Sequence, residues 1–167
     1  MSVFSGGWTF EAAKAVCEQT VEVSRLLPSL VDKSLVQVKL RAGQSRYRLL
    51  ETLRQYEMEK LREAHAERAA RTRHRAWCVR LGRTAQRELM FGPRQREWFQ
   101  RLEAEMENFR AALQSSLLES ADLESGLKLA AALARSSFWY GGYGVEATSG
   151  WITCLRGRRQ TRAKSRR

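Results

Sequence analysis

Apolar and polar positions along the chain change period several times, and each change marks an element. Val3 and Phe4 have the character of the end of an apolar helix, broken by Gly6 and Gly7. Thr9 then suits an N-cap, with Glu11 favourable in the first turn. The helix that follows, over 10–17, buries Ala12, Ala13, Val16 and Cys17. After a polar connection, Leu26, Leu27, Leu30, Val31 and Leu35 recur at helical spacing and predict a second helix, in whose first turn Pro28 is tolerable. Residues 36–40 alternate apolar with polar, 41–45 form a turn with one glycine, and 46–49 alternate again, which predicts a β-hairpin. From Leu50 a helix takes over, with Leu50, Leu53, Tyr56, Leu61 and Ala64 on one side, fading near Glu67.

Helical periods fill most of the remainder. Between Arg68 and Met90, Trp77, Leu81, Ala85 and Leu89 step by four, and Phe91-Gly92-Pro93 ends the run. Arg94 to Leu118 predicts one long amphipathic helix, with Trp98, Leu102, Met106, Phe109, Leu113 and Leu117 inward and Glu97 spaced to pair with Arg101. A polar break at 120–122 precedes a last helix from Leu123 to about Tyr140, with Leu127, Ala130, Ala131, Ala134 and Phe138 inward. Its alanines imply close approach to neighbouring helices. The expected fold is mostly α: a truncated winged helix with one β-hairpin, then antiparallel helical repeats of tetratricopeptide-like character. The segment Trp77 to Gly82 lies one residue off the W-x₂-L-G pattern of such repeats. The boundaries expected are 1–66 for the partial winged helix, 67–146 for the helical region and 147–167 for a basic, disordered tail.

Composition narrows the class without fixing it. With 43% hydrophobic residues and five Trp among 167, the chain can bury a core. No apolar run is long enough for a membrane span, and the start lacks the basic and apolar regions of a signal peptide. Three scattered cysteines, Cys17, Cys78 and Cys154, point to a reducing compartment and hence the cytoplasm. The net charge of +12 invites a nucleic-acid reading, but seven Lys/Arg and no acid lie in 156–167, leaving +5 for residues 1–155.

Catalytic and metal chemistry find little support. His74 and Cys78, four apart on a helix, could share a metal, but two ligands do not close a site, and His65 stands alone. Glu103, Glu105 and Glu107 sit on a helix whose charged face explains them. Trp98, Phe109 and Trp139 are core residues by spacing. No enzymatic activity, cofactor or metal is therefore expected. The one usable set is basic: Arg25, Lys33 and Gln37 around the second helix, and Lys39, Arg41, Arg46 and Arg48 on the hairpin, as contacts for DNA or a protein partner.

SVFSGGWTFEAAKAVC, LVDKSLV, RYRLLETLRQY and LEAEMENFRAAL together resemble the winged-helix and following helical-repeat region of bacterial STAND-type ATPase transcriptional regulators. The resemblance runs from about Ser2 to Glu146. It implies a non-catalytic segment that transmits a signal between a nucleotide-binding domain and sensor repeats. By that resemblance the winged helix is a packing and switching element against the ATPase core. Alternatives are an autonomous DNA-binding winged helix and a gene remnant without a present role. No G-x-x-x-x-G-K-[ST] phosphate cradle occurs in the chain. Most of the family's first winged-helix helix is also missing. Its absence predicts an exposed Val3, Phe4 and Leu27 side and marginal stability of the N-terminal half. The expected partners are a protein or the ATPase domain of a related regulator, with DNA and self-association through the last helix as further possibilities. From Ala147 the family's acidic Trp-containing helix is lost. For one permitted choice of codons a neighbouring frame encodes GDEWLDHLLAR, so a frameshifted tail is a further expectation.

Overall fold

A computed structural model describes residues 1–17, 23–41, 43–118 and 123–140. The basic tail, the break at 120–122, and the side chains of Phe138 and Trp139 lie outside that description. Contacts divide the chain into two compact units, Met1–Trp77 and the part from Cys78 onward.

The first unit has the packed helices and hairpin of a winged helix. A two-residue strand β1 (Trp8–Thr9) leads into helix α1 (Phe10–Val16). Thr9 caps α1 as expected, its Oγ1 accepting from the Ala12 N–H at 3.2 Å. Helix α2 (Val23–Asp32) and a tight connection follow, then strands β2 (Val36–Arg41) and β3 (Gln44–Leu49). The sheet order is β1-β3-β2, both pairings antiparallel. The expected hairpin is present, and β1 adds a third strand that its two-residue length concealed in the pattern. Pro28 falls in the interior of α2, not in the first turn. There its missing N–H leaves an upstream carbonyl without its helical donor, which the exposed position of Pro28 allows water to serve.

Helix α3 (Glu51–Glu63) and the first turns of α4 (Glu67–Phe91) complete this unit. The apolar side expected for α3 is not the one buried. Met58 is its buried residue, whereas Leu50 and Tyr56 are 40% and 56% exposed. Arg71 reaches from α4 to Met58 Sδ at 3.9 Å and so helps fix which side faces inward. The joint between α3 and α4 turns at His65, whose φ of 52° places a non-glycine residue in the left-handed region. The N–H groups of His65 and Ala66 donate to the carbonyls of Arg62 and Leu61, at 2.9 Å each, closing the helix end. Ser34, φ 57°, ends α2 in the same way.

The expected exposure of Val3, Phe4 and Leu27 is overturned. All three are buried, at 5%, 2% and 3% exposure. For Phe4 the cover comes from α4: its ring meets His74 edge-on at 4.9 Å and Trp77 at 5.7 Å, with Trp8 at 5.7 Å on the same cluster. Burial of such aromatic side chains contributes roughly 1.5–3 kcal/mol each. Arg73 adds a tie, its Nε donating to the Val16 carbonyl at 2.7 Å.

In the second unit the expected α4 stripe holds, with Leu81, Ala85 and Leu89 buried. The helix expected over 94–118 is two helices, α5 (Gln95–Ala104) and α6 (Met106–Leu118), separated at Glu105. Glu105 is 1% exposed and accepts from the Asn108 side-chain amide at 2.6 Å. A buried carboxyl group needs such a donor, and at the end of α5 the Glu105 N–H is shared between the carbonyls of Arg101 and Leu102, at 3.2 and 3.1 Å. Glu97 pairs with Arg94 at 3.9 Å, while Arg101 lies over the Trp98 ring at 4.9 Å instead of meeting Glu97. Helix α7 (Leu123–Tyr140) buries Leu129, Ala130, Ala132 and Leu133, whereas Ala131 is exposed. The close approach its alanines imply is present at Gly82, where an added Cβ would lie 3.4 Å from that of Ala132.

Candidate functional site

The basic residues singled out by the sequence fall on two elements. Arg25 is exposed on α2, two residues from buried Leu27 and so on the opposite face of the helix. Lys33 is exposed just past the end of α2. Arg41 ends β2, its backbone paired with Gln44. The remaining three are brought together by the hairpin register. Lys39 is the partner of Arg46, and Gln37 is the partner of Arg48. Side chains at alternate strand positions share a face, so Gln37, Lys39, Arg46 and Arg48 occupy one side of the sheet. Lys39 and Arg48 are exposed there, while Arg46 is half-buried and anchored. Its Nη2 donates to the carbonyls of Gly6 and Gly7 at 3.3 and 3.2 Å.

The approach of β1 to β3 requires glycine at position 7. Gly7 has a φ of 78°, and a Cβ there would lie 2.6 Å from the Tyr47 carbonyl oxygen. At the base of the hairpin the positive field continues with Arg48 near Glu51. The Arg54 guanidinium hydrogen-bonds the Glu51 carboxylate at 2.8 and 2.9 Å and holds its pKa down to about 2, with Gln55 and Arg48 adding to the effect.

The opposite side of the hairpin is apolar. Val36 and Leu49 are buried at its base, but Val38 and Leu40 are 43% and 77% exposed. Between this side and the helices lies an open groove of about 300 Å³, lined by Phe10, Leu27, Pro28, Val31, Val38 and Tyr47, with Ser24 and Asp32 at its polar edge. Alternation placed Val38 and Leu40 on the apolar side of a strand and gave no sign of this groove.

His74 and Cys78 are both buried, each among other partners. His74 is buried in the aromatic cluster, and burial pushes its pKa down to about 4, with Arg71 and Arg75 adding to the shift. Cys78 is fully buried, its thiol donating to the Asn108 carbonyl at 3.7 Å, and burial raises its pKa well above the ordinary thiol value. Among the described residues no group of three or more His, Cys, Asp or Glu could hold a metal ion, and no helix is long and apolar enough to cross a membrane.

No family model matches the chain. No solved structure gives a significant match. The chain is similar to proteins named as candidate HTH-type transcriptional regulators in Mycobacterium tuberculosis and Mycobacterium bovis, at 31% identity over 159 residues. The match covers 93% of this chain and 17% of each relative. The chain thus spans about one sixth of the length of these curated relatives.

Proposed function

We infer that the chain is a non-catalytic regulatory and interaction segment of a transcription regulator. The observation that carries this reading is its similarity, over nearly all its length, to a small part of much longer proteins named as HTH-type regulators. In the finer form of the reading, this chain is part of a regulator of the STAND ATPase kind. The winged helix over 1–66 then moves with a nucleotide-binding domain, and the tetratricopeptide-like region over 67–146 responds to a partner. The chain itself binds neither nucleotide nor metal, works in the cytoplasm, and uses Arg25, Lys33, Lys39, Arg41, Arg46 and Arg48 as contacts. Self-association through α7 belongs to the same reading.

The exposed Lys39 and Arg48 of the hairpin favour a second reading, an autonomous DNA-binding winged helix. Titrating labelled duplex DNA and ATP against the full chain separates the two. The interaction-segment reading expects no ATP binding and duplex binding that unrelated DNA displaces equally well. Retention of one sequence against competitor, with affinity falling steeply as salt rises, supports the second reading. Clear ATP binding overturns the first.

A further inference from the structure

The outer edge of β2 combines three features. It is an edge strand, since the sheet order β1-β3-β2 places β3 on one side of it only. One side of the strand carries Val38 and Leu40, both exposed, beside the apolar groove. The other side carries Lys39, backed across the ladder by Arg46 and Arg48. An edge strand presents unpaired N–H and C=O groups that template a further strand.

Charge decides what that strand can be. If a second copy paired antiparallel through β2, with Val38 opposite Val38, Lys39 would face Gln37. The same side would then collect Lys39, Arg46 and Arg48 from both copies. Like charges so placed oppose the pairing. An acidic partner reverses the sign of that effect.

We propose that the β2 edge binds an extended peptide segment of a protein partner in which acidic residues alternate with β-branched apolar ones. The segment adds antiparallel or parallel to β2 as a fourth strand. Its apolar residues extend the Val36, Val38 and Leu40 row toward the groove, and its carboxylates meet Lys39 in the positive field of exposed Arg48 one strand further in. The inference rests on the interaction-segment reading and names the class of partner.

The test uses the full chain and a capped synthetic peptide of alternating Glu and Val, followed by fluorescence anisotropy and by hydrogen exchange of the β2 amides. Binding is expected to weaken about tenfold in Lys39→Glu and separately in Leu40→Ser. Both residues are exposed, so both variants keep their fold, as circular dichroism will verify. Protection is expected to appear at Val36–Arg41 on peptide addition. A counterpart peptide with Lys in place of Glu is expected not to bind. Equal binding of the two peptides, unchanged exchange along β2, or failure of the Glu–Val peptide to bind while duplex DNA binds overturns the proposal. Sequence-specific DNA retention with β2 protection intact would instead overturn only the broader functional reading.

Discussion

Lys39 and Arg46 stand opposite each other across the β2–β3 ladder, two cations paired where an opposite charge would stabilise the strands. Arg46 is held by the Gly6 and Gly7 carbonyls, so Lys39 is the member free to change without loss of an anchor. Lys39→Glu is expected to stabilise the first unit by roughly 0.2–1 kcal/mol at low salt. Urea melts at two ionic strengths check this, since the gain must shrink as salt screens the pair. The same substitution is expected to weaken binding of any polyanion.

Phe4 is a side chain whose loss should cost the first unit heavily. Phe4→Ala empties the space between Trp8, His74 and Trp77 and is expected to destabilise by about 3–5 kcal/mol. Tryptophan fluorescence during denaturation reads this directly, because two of the neighbours are Trp8 and Trp77. An effect below about 1 kcal/mol would contradict the cluster.

His74 gives the unit a dependence on pH. Its folded pKa of about 4 lies below the 6.5 of the free side chain, so the unfolded chain takes up the proton first. Stability is therefore full above the unfolded pKa, falls as pH drops from about 6.5 toward 4, and levels off below that. The loss at the low-pH limit is roughly 3 kcal/mol. His74→Leu should flatten this part of the profile in melts between pH 4 and 7.

Two glycines separate steric from conformational cost. Gly7 and Gly43 both have positive φ, 78° and 72°, but a Cβ at Gly7 meets the Tyr47 carbonyl while one at Gly43 meets nothing within 4 Å. Gly43→Ala is expected to cost about 1 kcal/mol and Gly7→Ala about 2–4 kcal/mol. Comparison of their melting midpoints checks the order. Conversely, His65→Gly relieves a left-handed non-glycine residue and should stabilise by about 1 kcal/mol.

The sequence made the hairpin and the α4 stripe legible because both are local periods, of two and of 3.6 residues. What it hid was non-local. Nothing near Phe4 in the chain announces that His74 and Trp77 cover it, so its side of the unit looked exposed. On α3 the apolar residues outnumber the places that α4 can cover, and period alone picked Leu50 and Tyr56 over Met58. The break at Glu105 escaped notice because the apolar repeat runs on through it. At the candidate site, alternation and register together suffice to align Lys39, Arg46 and Arg48. The groove behind them depends on how α1 and α2 lie against the sheet, which no local pattern encodes.

The cover that α4 gives Phe4 also sets a schedule. On a ribosome, Val3, Phe4 and Trp8 emerge long before His74 and Trp77 are joined to the chain. Through the synthesis of the hairpin and α3 those rings stay wet and adhesive, a state that favours aggregation or a chaperone's grip. A translational pause placed between α3 and α4 lengthens that interval and is expected to lower the yield of this fold.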